Sequence, residues 1–243
     1  MEPEFYPEVI AAGSLAGALE RTAARLGLDI TVVPDDTDDT AAIAAPALGR
    51  EPLLVYVESG WRFFGVDGWS RGLAMIAGGT ADLADIVRAG VAWGRGESLP
   101  AMRELLPWLE YGEFAEAADR NPADAVDVAW RQLREQGHEE ADGFPEFGAA
   151  VEAAHGRPRL RRLLPFDSMR RLGFRPSVGH VLGPAVVIVP GRGSGTYRVQ
   201  RTLDCEGAGD LIAEVGSAAE AAALAEAQVP ADLGPAVFGP DEP

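Results

Sequence analysis

Residues 53–93 read LLVYVESGWRFFGVDGWSRGLAMIAGGTADLADIVRAGVAW, and this stretch decides the fold class. Three runs rich in β-branched and aromatic residues, Leu53–Glu58, Trp61–Val66 and Gly72–Ala77, are separated by the turn pairs Ser59-Gly60 and Asp67-Gly68. Short apolar runs at that spacing form a β-meander. Thr80 then offers an oxygen to the first amides of a helix, and Leu83, Ile86, Val87 and Val91 recur on one helical face as far as Trp93. A meander with a covering helix is an α+β unit.

Toward the N-terminus, Leu15, Leu19 and Leu26 mark the apolar face of a helix over Val9–Leu26 that Gly27 ends. Ile30–Val33 reads as a short strand and the acidic run Asp35–Asp39 as a loop. Beyond the opening stretch, Ser98–Leu109, Pro122–Gln136 and Phe147–His155 have helical spacing, with Asn121 as N-cap and Pro122 at the first position of the second. Gly137–Pro145 reads as an acidic linker. Strand signals return at Met169–Phe174, Ala185–Val189, Thr196–Arg201 and Leu211–Val215, and Ser217 with Glu220 forms a capping box before an Ala-rich helix to Val229. The expected architecture is two antiparallel meander-plus-helix units, residues 1–110 and 157–243, joined by a helical connector, 111–156. Internal duplication and the independent recurrence of a common unit both account for that layout.

The chain has 243 residues, a net charge of -17 and 21 basic residues, every one of them Arg. Without Lys there is no Schiff-base nitrogen, no phosphate-loop lysine and no Ser-Lys nucleophile pair. The acidic balance argues against nucleic acid as a partner, since phosphate affinity comes from clustered cations. The charge is partitioned: residues 1–156 carry -17, residues 157–204 carry +8 and residues 205–243 carry -8. The basic block either pairs with acidic surface of the same chain or forms an anion site, for which the planar fork of Arg is well suited. The start of the chain lacks a cationic leader, and the longest apolar run, Leu182–Pro190, has strand length, so a cytoplasmic protein that does not enter membranes is expected.

Histidines 138, 155 and 180 show no i, i+4 pairing and no neighbouring Cys, so no metal site and no cofactor are expected. His155 sits where a cation would favour a helix C-terminus, and together with Asp167 it is a weak candidate for acid-base chemistry. Cys205 lies between Asp204 and Glu206, which disfavour its thiolate. Gly191–Gly195 could wrap a phosphate through its amides, but a strand follows where nucleotide loops have a helix. The main constellation is the basic block, in which Arg157, Arg159, Arg162, Arg171 and Arg175 are the candidate anion- or partner-binding residues, with Asp167 orienting them. Arg159 and Arg162 share a face of a short helical piece between Pro158 and Pro165, and Arg171 and Arg175 share a face of the next strand. Trp61, Trp69 and Tyr197 could add aromatic walls.

Several segments together resemble an actinobacterial family of unknown function known as natural product biosynthesis proteins. They are Tyr6–Leu15, Gly78–Leu83 running to Trp93 and Gly96, Pro158–Phe166, Gly195–Val199 and Gly234–Gly239. The resemblance spans nearly the whole chain and implies a cytoplasmic protein encoded beside specialised-metabolite pathways, with no reaction attached. Where that family continues after Pro-Phe with a Thr-Ser-His-Trp-like run, this chain has Asp167-Ser168-Met169-Arg170. The expectation is therefore a non-catalytic binding or accessory protein recognising an anionic peptide, carrier protein or other acidic partner. The alternatives are a small tailoring enzyme using acid-base catalysis and a self-resistance protein.

Overall fold

The computed structural model describes residues 2–139, 143–180, 185–202 and 209–239. Cys205 with Asp204 and Glu206, and Glu140–Asp142 of the acidic linker, lie outside the described residues. The fold is α+β, and the chain divides between Asp119 and Arg120 into two compact units.

In the N-terminal unit the helix expected over Val9–Leu26 is two helices, α1 (Pro7–Ala12) and α2 (Leu15–Leu26). Gly13 takes φ 84° to end the first, and the Ser14 side chain caps the second by accepting from the Gly17 amide. The local cap wins over a continuous apolar period. The sheet is an antiparallel meander: β1 (Val32–Pro34), β2 (Thr40–Ile43), β3 (Leu53–Val57), β4 (Phe64–Ser70) and β5 (Leu73–Thr80), in that spatial order. Asp67-Gly68 is not a turn but the middle of β4; the turn is Arg71-Gly72, with φ 51° and 77°. Gly68 is there for packing, since a Cβ would stand 2.6 Å from Ile76 and 3.1 Å from the Trp93 ring. The next helix, α3 (Leu83–Gly94), is capped by Asp82 rather than Thr80, through a bond from the Ala84 amide. Helices α2 and α3 pack on the face that presents Val55, Phe64 and Val66, all fully buried.

The helix expected over Ser98–Leu109 ends early, as α4 (Leu99–Leu105), because Pro107 cannot continue it. Leu109-Glu110 forms an edge strand, β6, on β5, and α5 (Glu113–Arg120) follows.

The C-terminal unit opens with α6 (Pro122–Glu139) and α7 (Pro145–His155). A 3-10 turn at Leu160–Arg162 leads into β7 (Leu164–Asp167) and β8 (Leu172–Arg175). The strand signal from Met169 is misplaced: Met169 and Arg170 form the hairpin turn, at φ 53° and 62°, so β8 starts at Leu172. The short β9 (Ser177-Val178) leaves the sheet; β10 (Ala185–Pro190), β11 (Tyr197–Thr202) and β12 (Asp210–Val215) continue it in the order β12-β11-β10-β8-β7. Ser217 caps α8 (Ala218–Gln228), with its hydroxyl 3.3 Å from the Glu220 amide, as the capping box predicts. The last segment returns as β13 (Val237-Phe238), parallel to β9.

Each unit thus contains two helices, five antiparallel sheet strands and a capped helix in that order, with β9 interrupting the strands of the second unit and α4, β6 and α5 following in the first. The fourth and fifth strands slip register at matching places, between Gly68 and Trp69 and between Val199 and Gln200.

Candidate functional site

The basic block does not form one groove. Arg157 and Arg159 turn toward α8: Arg157 donates to the Ala219 carbonyl at 3.2 Å and lies 3.9 Å from Glu226. The Arg159 amide donates to Glu226 at 3.0 Å and its guanidinium to the Val229 carbonyl at 3.1 Å. Arg159 thereby complements the carbonyls of the α8 C-terminus, whereas Arg157 meets the first turn of that helix and the Glu226 carboxylate. Arg162 is exposed at the end of the 3-10 turn, while its carbonyl accepts from the Ala236 amide. Arg175 shares the outward face of β8 with Gly173, the face to which strand alternation also assigns Arg171 just before it. The Arg175 guanidinium sits 4.2 Å over the Phe166 ring, which itself fills the space above Gly173. Among the described residues Arg162 and Arg171 have no ion pair.

The two acid-base candidates both make structural contacts. Asp167 accepts from both the amide and the guanidinium of Arg170, each at 2.7 Å, and so braces the Met169-Arg170 turn. His155 packs edge-on to Trp130, 5.3 Å between ring centres. Burial pushes its imidazole below the ordinary value, and Arg134 and Arg161 push the same way against Glu152 and Asp127. The shift disfavours the imidazolium, against the cation expected at a helix end. No contact joins it to Asp167 among the described residues. Because the folded protein resists protonating His155, the unfolded chain binds the proton first as pH falls below about 6.5, and stability is lost with falling pH. Urea unfolding at about pH 7 and about pH 5.5 is expected to show a smaller loss for His155→Gln than for the parent protein.

The remaining motifs are self-contained. In the Gly191–Gly195 turn, the Gly193 amide, which an anion would need, already donates to the Glu146 carboxylate at 2.8 Å. Asp35 accepts from the Asp36 amide and the Thr40 hydroxyl, at 2.7 and 2.9 Å, so the acidic run folds on itself. Trp61 stacks on Phe63 at 4.7 Å in the first unit, and Tyr197 is buried in the second. Among the described residues no three His, Cys, Asp or Glu side chains converge, and no helix is long and apolar enough to cross a membrane.

What the sequence reading missed is a cleft of about 560 Å³ in the C-terminal unit. Leu163, Phe174, Val186 and Leu233 wall it, and the chain from Val229 to Val237 runs along one side. Phe174 is backed by Trp130, stacked at 6.0 Å, whose indole N–H donates to the Leu163 carbonyl at 3.2 Å. Arg201 is the only charged side chain that lines it among the described residues. That guanidinium is exposed and donates to Gln228 Oε1 at 3.0 Å. Apolar walls with a few placed polar groups, in a volume of roughly 300–1,000 Å³, are the usual form of a small-molecule site.

No curated protein and no solved structure matches the chain. Residues 124–240, which contain most of α6, everything from α7 through β13 and every wall of the cleft, match a family of unknown function (DUF6193).

Proposed function

We propose that the protein is a non-catalytic binding or accessory protein of a specialised-metabolite pathway in an actinobacterial cytoplasm, and that its C-terminal unit holds an anionic ligand, free or borne on a peptide or carrier. The observation that carries this reading is the apolar cleft with Arg201 as its one charged lining residue among those described. The apolar walls favour burial of a carbon skeleton at about 25 cal/mol per Å². Arg201 supplies a charge that is always present and forks toward a carboxylate, sulfonate or phosphate. The bracing roles of Asp167 and His155 support binding over catalysis, and the resemblance in Pro158–Phe166 and Gly234–Gly239 supports the pathway setting.

A pair of fluorescent probes tests it: 8-anilinonaphthalene-1-sulfonate, and its neutral analogue N-phenyl-1-naphthylamine. Both are expected to bind the parent protein and to be displaced from Leu233→Trp. Arg201→Gln is expected to weaken only the sulfonate, by about tenfold, the value of one charge-assisted hydrogen bond. Equal loss of both probes, or no loss of either, overturns the role given to Arg201. Absence of binding by both overturns the site.

A further inference from the structure

Each unit places a guanidinium in the same cross-strand pair, and only one of the two meets a carboxylate among the described residues. Trp93 and Gln228 each stand eleven residues after the N-cap of the helix that closes their unit, Asp82 and Ser217. Ser70 and Arg201 each stand two residues past the start of the matching register slip, Ser70 as the last residue of its unit's fourth strand and Arg201 as the last but one. Across the sheet from them are Arg50, bridged to Ser70, and Val186, paired with Arg201. The same cross-strand pair thus carries one Arg in each unit. In each unit that Arg touches the helix residue: Arg50 lies 3.9 Å over the Trp93 ring, and Arg201 bonds Gln228.

The difference lies in what else meets the charge. In the N-terminal unit the indole of Trp93 fills the space beneath the guanidinium, fully buried, with its N–H on the Glu51 carbonyl at 2.8 Å. The Asp119 carboxylate, at 2.5 Å, neutralises Arg50. In the C-terminal unit Gln228 replaces the indole, the apolar cleft lies open beside it, and Arg201 has no carboxylate partner among the described residues. Asp210, its cross-strand neighbour, makes no ion pair with it.

We infer that the units are copies of one fold, and that the ligand of the C-terminal cleft is an aromatic acid. Its ring takes the place that Trp93 fills in the other copy, and its carboxylate takes the place of Asp119. This rests on the proposed binding reading and narrows it from any apolar anion to a planar one. A ring under a guanidinium gains cation–π attraction that an alkyl chain lacks, and a rigid ring loses less conformational freedom on binding than a chain of similar carbon count.

Calorimetric titration of the intact protein with 2-naphthoate and with decanoate, two carboxylates of similar carbon count, tests the inference. The naphthoate is expected to bind about tenfold more tightly. Gln228→Trp, which restores the indole of the other unit, is expected to abolish naphthoate binding and to leave the melting temperature unchanged or raised. Decanoate binding as tightly as naphthoate overturns the aromatic assignment while leaving the anion site intact. Failure of both carboxylates together with both naphthylamine probes overturns the site itself. If the Gln228→Trp variant folds, as judged by circular dichroism, and still binds naphthoate with parental affinity, the equivalence of the two clefts is wrong. The comparison of the two acids on the parent protein decides the ligand class whether or not that variant folds.

Discussion

Replacing Arg50 by Met is expected to destabilise the N-terminal unit by about 3–5 kcal/mol, the range found when one partner of a buried ion pair is removed. The Arg50 side chain is 7% exposed and that of Asp119 13%, so the pair is held almost out of water. Burial pushes the guanidinium below its ordinary pKa and Asp119 opposes the shift, which is the electrostatic signature of a charge that depends on its partner. The variant would leave the carboxylate stranded, still accepting from the Leu99 amide at 3.0 Å where α4 begins, but with no cation. It would also uncover the Trp93 ring face. Urea unfolding checks both the size of the loss and its origin. A loss under about 1 kcal/mol sinks the idea, because surface pairs already reach that value. The double variant Arg50→Met, Asp119→Leu should recover part of the loss, since replacing both charges removes the stranded carboxylate.

Truncating Trp130 to Ala is expected to lower stability of the C-terminal unit by about 3–5 kcal/mol, as for other buried aromatic residues. Trp130 is 2% exposed, stacks on Phe174, meets His155 edge-on and ties the Leu163 carbonyl with its N–H. Its loss combines a large void with an unpaired carbonyl, and the neighbouring strands are too constrained by β7–β8 pairing to collapse into the space. Because Phe174 and Leu163 are both cleft walls, the same change should also weaken binding of the neutral naphthylamine probe. Trp130→Phe keeps most of the volume and separates the effects: it should restore most of the stability and leave only the hydrogen bond missing. Full parental stability in Trp130→Ala sinks the assignment of this residue as the support of the cleft.

The sequence made the class of the fold readable because the informative signals are local. The apolar run at Leu53–Val57 and the Ser217 cap on the Glu220 amide each act within a few residues, and both appear in the structure. The misreadings share a cause. Asp67-Gly68 is a strong hairpin signal, yet the space taken by Ile76 and Trp93 demands a residue without a Cβ inside β4. Met169-Arg170 carries no turn signal at all, yet Asp167 holds that turn from outside by two hydrogen bonds. In both places a contact from outside the dipeptide outweighs local propensity. The cationic block was visible as composition, but its division between α8 and the Phe166 side of β8 depends on tertiary packing that no charge count reveals. The cleft was least visible. Its walls come from residues as far apart as Leu163 and Val237, and one by one Phe174, Val186 and Leu233 read as ordinary core.

One wall of that cleft is unlike the others. Residues 230–236 belong to no regular element of the sheet, and three backbone bonds moor the end of that segment and the residues beyond it: Ala236 to the Arg162 carbonyl, Val237 to Pro176 and Gly239 to Val178. The partners in β9 and β13 are about sixty residues apart in the chain, so this mooring closes a long loop at an entropic cost. A ligand that displaces this wall works against those bonds, the pairing of β9 with β13 and the burial of Ala236, while the ladder of the five-stranded sheet is untouched, so part of its binding free energy is set by the tether and not by the stability of the sheet.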